Sequence, residues 1–224
     1  MPRICVFDVN ETLLDLKALD HHFERIFGDA SFRKAWFSQF LQSALVTTIT
    51  NTYVDFGTIG MAALEMIAKR QKIKITKDDR KNIKEGIQHL PPYPEVKDSL
   101  ELLHKQGLKL ATLTNSTEEV AITQLTNAGL INYFEYILSA DAVKRLKPAI
   151  EPYQMAAKKF GVNIDGIRLI AAHSWDIAGA LQAGCKAAFV ARPGMVLDPL
   201  SAKPDIIGTD LHEVALHILN NEIS

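Results

Sequence analysis

The sequence lacks most features that mark secreted, membrane-spanning or disulfide-stabilised proteins. Its 224 residues include only two cysteines, Cys5 and Cys185, and both lie in apolar stretches. We therefore expect two buried, reduced thiols and no disulfide. No apolar run approaches the length of a bilayer span. No signal-peptide pattern precedes the first strand-like run, so the cytoplasm is the expected location.

A surplus of charge of one sign is also missing. The 25 Lys and Arg residues oppose 26 Asp and Glu residues, which gives a formal net charge of −1. Such a chain has no strong field to attract nucleic acid or an anionic membrane. Nucleic acid and a membrane are therefore not expected partners. The 47% hydrophobic content is enough for the core of one compact domain that carries an insertion.

Short apolar runs recur along the chain and predict buried strands. Because the runs are continuous and helix patterns separate them, we predict an α/β fold with a Rossmann-like, doubly wound parallel sheet. Ser116 and Glu119 have capping-box spacing, which predicts the start of one of these helices. The clear strand candidates are residues 4–7, 108–113, 167–171 and 187–190, and the weaker ones are residues 136–138 and 206–207.

Residues 15–89 break this alternation, because they contain helix patterns and no convincing strand. Thr76 and Asp79 have capping-box spacing and predict the start of one helix. The stretch ends at Pro91-Pro92-Tyr93-Pro94, a stiff segment that cannot continue a helix. The sequence therefore predicts a helical cap, residues 15–90, inserted after the first strand of an α/β core made of residues 1–14 and 91–224.

Polar side chains cluster at the ends of the predicted strands. The carboxyl ends of parallel strands face one crevice, where ligands bind. Each side chain alone has a simpler explanation as a turn former, a helix cap or a surface charge. Their joint occurrence in this order, with a helical insert between the first two groups, favours an active site. The candidates are Asp8, Thr114, Asn115, Lys147, His173 and Asp176.

These candidates lie in motifs that resemble those of the haloacid dehalogenase superfamily. Asp8 opens a segment similar to Asp-x-x-x-Thr-Leu, and Leu113-Thr114-Asn115 resembles the second motif. Lys147-Pro148 resembles the third motif, and His173-Ser174-Trp175-Asp176 occupies the fourth. The closest resemblance is to the type II, (S)-2-haloacid dehalogenase branch. It is carried by Tyr153, Trp175-Asp176-Ile177-Ala178-Gly179-Ala180 and Tyr53-Val54-Asp55-Phe56.

The resemblance implies hydrolytic dehalogenation of short (S)-2-haloacids through an aspartyl ester on Asp8, giving a 2-hydroxy acid and halide. In that mechanism Lys147 keeps Asp8 ionised, and Asp176 holds Lys147 in place. Thr114 and Asn115 donate hydrogen bonds to the substrate. The resemblance also implies a homodimer and a set of substrate-binding residues. These are Asn10, Thr12, Phe37, Tyr153 and Trp175.

A phosphatase of the same superfamily is the main alternative. Phosphatases that resemble this chain place a second Asp two residues after the nucleophile, where this sequence has Asn10. They usually place an acidic magnesium ligand where this chain has Ala172. Both losses favour metal-independent chemistry without a cofactor, and Mg²⁺ is expected only for the phosphatase alternative. A non-catalytic binding protein on the same fold is the third interpretation.

The chain also departs from the dehalogenase pattern. That branch commonly has Gly at the place of Glu11, and Phe37 occupies the place of an Arg that clamps the substrate. Arg33 and Arg25 are candidate replacements for that guanidinium. His173 replaces the usual Asn, and we expect either a general base for ester hydrolysis or a structural histidine.

Overall fold

The computed structural model describes residues 4–222 and contains a parallel sheet of six strands in the order β3-β2-β1-β4-β5-β6. Along the chain, β2 and β3 are added on one side of β1, and β4, β5 and β6 are added on its other side. This reversal opens a crevice at the carboxyl ends of the central strands. The α/β, Rossmann-like prediction is confirmed. The strands are β1 (Ile4–Phe7), β2 (Lys109–Thr114), β3 (Tyr136–Ser139), β4 (Ile167–Ala171), β5 (Lys186–Val190) and β6 (Ile206–Gly208).

The central strands are apolar because helices cover both faces of the sheet. All residues of β1 and β4 are buried, and Val6 pairs with Ala111 on one side and Leu169 on the other. This explains why the strand sequences are continuous apolar runs and do not alternate with polar residues. Cys5 and Cys185 are buried and form no disulfide.

Of the α-helices within residues 4–222, four lie between β1 and Pro91, and five follow Pro94, the first of them before β2. No helix within residues 4–222 combines the length and apolarity that a membrane span requires. The first group is α1 (Asp20–Phe27), α2 (Phe32–Ile49), α3 (Phe56–Arg70) and α4 (Lys77–Gln88). The second group is α5 (Val96–Lys105), α6 (Glu118–Asn127), α7 (Ile150–Phe160), α8 (Ser174–Ala183) and α9 (Leu211–Glu222).

Aromatic packing holds the first group of helices together. The Trp36 ring on α2 is buried against Phe23 of α1, with ring centroids 5.2 Å apart. Its indole N–H donates to the Gly60 carbonyl on α3, at 2.8 Å. The predicted capping box of Thr76 and Asp79 begins α4, with both reciprocal hydrogen bonds present.

Two connections join these helices to the sheet, and they run side by side. The Asp15 amide donates to the Pro91 carbonyl at 2.8 Å, and the Tyr93 amide donates to the Leu13 carbonyl at 3.0 Å. An antiparallel bridge between Leu14 and Pro92 lies between these bonds. The helical group is therefore anchored close to the loop that follows β1, where Asp8 lies.

Candidate active site

Asp8 is the first residue after β1, at the open edge of the crevice. Its amide donates to the Ile170 carbonyl at 3.0 Å, so the backbone continues the strand pairing. The Thr12 hydroxyl donates to Asp8 Oδ2 at 2.8 Å and itself accepts from the Ala172 amide at 3.0 Å. Asp8 is only 5% exposed. The carboxylate is therefore held in one orientation by the loop around it.

Lys147 reaches Asp8 from the loop before α7. Its ammonium donates to Asp8 Oδ1 at 3.0 Å, to Asp176 Oδ2 at 2.5 Å and to the Leu113 carbonyl at 2.7 Å. These three bonds use all three donors of the ammonium. The Asn115 side chain holds the Lys147 backbone, because Oδ1 accepts from the Lys147 amide and Nδ2 donates to the Lys147 carbonyl.

This arrangement fixes the charges of the buried groups. Burial alone raises the pKa of Asp8, but the charge of Lys147 and a hydrogen bond from His173 outweigh it, and the pKa lies well below its usual range. Burial lowers the pKa of Lys147, but the Asp176 and Asp8 carboxylates outweigh it and raise that pKa. At neutral pH an ionised Asp8 faces a charged Lys147.

Asp176 lies in the first turn of α8, between Lys147 and Tyr153. Burial and the charge of Asp8 raise the pKa of Asp176 against the opposing effect of Lys147. The Tyr153 hydroxyl donates to Asp176 Oδ1 at 2.6 Å. Tyr153 and Thr12 are 1% and 0% exposed. Both are buried behind the carboxylates that they hold, and their contact with substrate stays a prediction.

His173 lies between two carboxylates. Nδ1 is 3.2 Å from Asp8 Oδ2, and Nε2 is 3.1 Å from Glu11 Oε2. Burial lowers the pKa of His173, but the hydrogen bonds to Asp8 and Glu11 outweigh it and raise the pKa to about 9. The imidazole is therefore protonated at neutral pH and donates to both carboxylates.

Glu11 is a site residue that the sequence reasoning treated only as a departure from Gly. Its backbone is left-handed, with φ of 61°, a conformation that favours glycine and costs other residues about 1–3 kcal/mol. The Glu11 carboxylate nevertheless contacts His173 and lies 3.5 Å from Arg33 Nη1 on α2. An acid where the related enzymes have Gly was the available signal in the sequence.

The two candidate replacements for the missing Arg differ in position. Arg33 is 4% exposed, and its Nε donates to Asp20 at 2.5 Å, beside the Glu11 contact. Arg25 is half-exposed and pairs with Asp79 on the outside of the helical group. Arg25 is therefore wrong as a replacement, and Arg33 is the guanidinium near His173.

Two cavities meet at Phe37, which lines both of them. The larger, about 620 Å³, is called the charged cavity. Its lining includes Glu11, Lys17, Arg33, His173, Trp175 and Arg192. The other, about 490 Å³, is called the apolar cavity. Its lining includes Asn10, Trp36, Phe40, Phe56, Ile87 and Val120.

The remaining predicted residues lie around Asp8 in different ways. The Phe37 and Trp175 rings lie 5.9 and 5.2 Å from the His173 ring. Asn10 Oδ1 accepts from Gln124 Nε2 at 3.0 Å and faces the apolar cavity. Thr114 ends β2, is 2% exposed, and its hydroxyl accepts from the Ser116 amide at 3.2 Å.

The donor set around Asp8 does not resemble that of a magnesium centre. Within residues 4–222, no group of three or more His, Cys, Asp or Glu side chains is arranged to hold a metal ion. The ammonium of Lys147 lies between the Asp8 and Asp176 carboxylates, the two acids that would otherwise attract a cation. A hard divalent cation needs several oxygen ligands, and these oxygens are already used.

Comparison with known proteins agrees with this geometry. A family model described as haloacid dehalogenase-like hydrolase matches residues 5–190, and the chain belongs to this family. An (S)-2-haloacid dehalogenase from Pseudomonas sp. (strain YL) is 27% identical over 210 residues, which cover 93% of this chain and 90% of the relative. Haloacetate dehalogenase H-2 from Moraxella sp. (strain B) is 25% identical over 201 residues, covering 89% and 90%.

Solved structures extend the similarity to the whole fold. An L-2-haloacid dehalogenase from Xanthobacter autotrophicus superposes with a TM-score of 0.91, and the match covers 99% of both chains. The two sequences are 22% identical, so this likeness concerns the fold. The chain therefore has the fold of this L-2-haloacid dehalogenase.

Proposed function

We propose that this protein hydrolyses the carbon–halogen bond of short (S)-2-haloacids with Asp8 as the nucleophile. The observation that carries the proposal is the buried, ionised Asp8 carboxylate, held by Lys147 and Thr12, whose neighbours Asn10 and His173 line the two cavities. The relatives named as haloacid dehalogenases support the same reaction. Asn10, Phe37 and Trp175 line these cavities and are the proposed substrate contacts.

In the first step, an oxygen of Asp8 attacks C2 of the substrate from the side opposite the halogen. A carbon–oxygen bond forms, the carbon–halogen bond breaks, and halide leaves with the electron pair. The substrate is an anion and the leaving group becomes one. His173 and Arg33 supply positive charge in the charged cavity, and their charges act strongly because both side chains are buried.

In the second step, water attacks the carbonyl carbon of the Asp8 ester. The ester carries no negative charge, so His173 then lies beside only one charged carboxylate, Glu11, and its pKa falls. His173 releases its proton to solvent and accepts one from the attacking water. Hydrolysis frees the 2-hydroxy acid with inverted configuration and restores ionised Asp8 and protonated His173. His173 is thus proposed to act as a base only while the Asp8 ester is present.

Three side chains keep this machinery aligned. Asp176 and Asn115 hold Lys147, and Thr114 ends the strand beside them. We further propose that residues 15–90 act as a cap over the core of residues 1–14 and 91–224, because α2 contributes Arg33 and Phe37 to the cavity walls. A homodimer and a cytoplasmic location stay predictions.

Halide release from (S)-2-chloropropionate tests this function directly. We expect release with a chelator present, no turnover of the (R) isomer, and no release of phosphate from a panel of phosphate esters with Mg²⁺. Phosphate release that depends on Mg²⁺, without halide release, would replace the proposal with a phosphatase. Binding of haloacids without turnover of any compound would favour a non-catalytic protein.

A further inference from the structure

The apolar cavity is too large for the side group of a three-carbon haloacid. Its volume of about 490 Å³ lies within the range of roughly 300–1,000 Å³ that proteins use for drug-sized ligands. A single water molecule occupies only about 30 Å³. The cavity therefore has room for a substituent of many carbon atoms.

The end of the cavity that Asn10 and Ser116 line, called its inner end, is formed by chain neighbours of the reactive groups. Asn10 is two residues from Asp8, Ser116 follows Asn115, and both line the cavity. Phe37 separates this cavity from the charged one and lies against His173, which contacts Asp8. A molecule whose C2 atom lies at Asp8 can therefore place its anionic groups on one side of Phe37 and its substituent on the other.

The walls select an apolar group. Aromatic and aliphatic side chains from α2, α3, α4 and α6 line the cavity. The acids that reach its rim already have partners: Asp55 accepts from the Thr58 amide, and Glu65 pairs with Arg80. Lys84 also lines the cavity, so its charged side chains carry both signs, and the apolar walls decide which group fits. The substituent that fits is uncharged and apolar.

Asn10 provides one fixed polar contact at the inner end. Gln124 is fully buried, and its Nε2 donates both to Asn10 Oδ1 and to the Ile87 carbonyl. This bond orients the Asn10 amide, and within residues 4–222 Asn10 Nδ2 donates to no other group. Its N–H groups are therefore available to an acceptor oxygen of the substrate.

We propose that the apolar cavity binds the C2 substituent of the substrate, so that medium-chain or aryl-bearing 2-haloacids are better substrates than 2-chloropropionate. The inference rests on the proposed function. It assigns a binding site to the C2 substituent of a substrate whose carboxylate and halogen lie near His173. Each methylene buried in the cavity contributes roughly a fourfold gain in affinity. The short acids remain substrates because Asp8 reacts at C2 in both.

Calorimetric titration with two unhalogenated acids, propionate and octanoate, measures the cavity without needing turnover. We expect octanoate to bind wild type at least tenfold more tightly than propionate. Val120→Trp places an indole in the cavity and should lower that ratio at least tenfold, and Met61→Phe on α3 should narrow the cavity further. Ile122→Trp is the matched control, because Ile122 lies on the same helix, is 42% exposed and does not line the cavity.

Halide release from racemic 2-chlorooctanoate and 2-chloropropionate completes the test, with a higher kcat/KM expected for the longer acid. Equal binding of octanoate and propionate overturns the inference, as do identical effects of the tryptophan substitutions at positions 120 and 122. If 2-chloropropionate is turned over but 2-chlorooctanoate is not, only the cavity assignment fails. If octanoate binds tightly while neither chloro acid is turned over, the dehalogenase function fails and the binding site stands.

Discussion

The sheet side of the active site and its helical side are built in different ways. On the sheet side, Lys147 pairs with both Asp8, which follows β1, and Asp176, which lies in the first turn of α8. On the helical side, Glu11 and Arg33 meet across the gap between the loop after β1 and α2. The first set is an arrangement that parallel sheets produce at a topological switch point. The second depends on how the insert packs against the core.

The difference separates chemistry from recognition. The sheet side holds the ionised Asp8, whose position is fixed by strand geometry and by hydrogen bonds from Lys147, Thr12 and His173. The helical side includes the contacts of α2 with the loop after β1 and with His173, and the departures from the dehalogenase pattern at Glu11, Phe37 and His173 lie at these contacts. Changes on the sheet side should therefore abolish turnover or unfold the protein, whereas changes on the helical side should alter pH dependence and substrate choice.

The largest expected effect is the loss of activity in Asp8→Asn. The amide cannot displace halide, and we expect kcat for halide release to fall by at least about a thousandfold. Asp165→Asn is a control, because Asp165 is exposed and lies before β4, away from the crevice. Activity of the Asp8→Asn enzyme near wild type, after deamidation is excluded by mass spectrometry, would contradict the assignment of the nucleophile.

Replacement of Lys147 should have the next largest effect, on stability. Lys147→Met leaves the buried Asp8 and Asp176 carboxylates without their cation, and we expect a loss of about 3–5 kcal/mol in the free energy of unfolding. Lys144→Met removes an exposed ion pair with Asp141 and should cost about 0–1 kcal/mol. Urea unfolding at pH 7 measures both, and equal losses would remove the distinction between the buried and exposed lysines.

The smallest effect concerns His173 and appears as a pH dependence. Its pKa is about 9 in the folded protein, above the usual 6.5, because Asp8 and Glu11 accept its hydrogen bonds. The stability that this shift contributes is fully present below pH 6.5 and is lost as the pH rises through 9. It amounts to roughly 3 kcal/mol.

Comparison of His173→Asn with wild type isolates this contribution. The amount by which wild type exceeds His173→Asn in free energy of unfolding should shrink as the pH rises from 6 to 9.5. The corresponding difference between wild type and Glu11→Gln should also shrink, but by less. Both charged neighbours of the ring, Asp8 and Glu11, belong to the loop after β1. Parallel pH profiles for wild type and His173→Asn would show that the imidazole is not held protonated by these carboxylates.

The strands of the sheet and the polar residues that follow them were predictable because they depend on local sequence. The predicted strand at residues 167–171 matches β4, and β2 begins and ends one residue later than its prediction. Strand order then brings residues as distant as Asp8 and Lys147 together. The apolar runs identify the strands, and the polar residue at each strand end identifies the site.

The helical side was less predictable because its contacts form between elements. The capping box at Thr76 was confirmed, but that at Ser116 was wrong: α6 begins at Glu118 with Thr117 as N-cap, and Ser116 lies buried beside the site. Spacing alone does not show which side chain turns toward a cleft. The Glu11–His173 contact joins residues that no local pattern relates.

The central claim is that Asp8 forms an ester with the substrate, and isotope transfer tests it most directly. A single turnover of (S)-2-chloropropionate by excess enzyme in H₂¹⁸O should place ¹⁸O in the Asp8 side chain, detected by mass analysis of the peptide that contains it. The 2-hydroxy acid should then carry an oxygen from unlabelled Asp8. Label in the 2-hydroxy acid after one turnover, with none in the Asp8 peptide, would mean that water attacks C2 directly and would contradict the account.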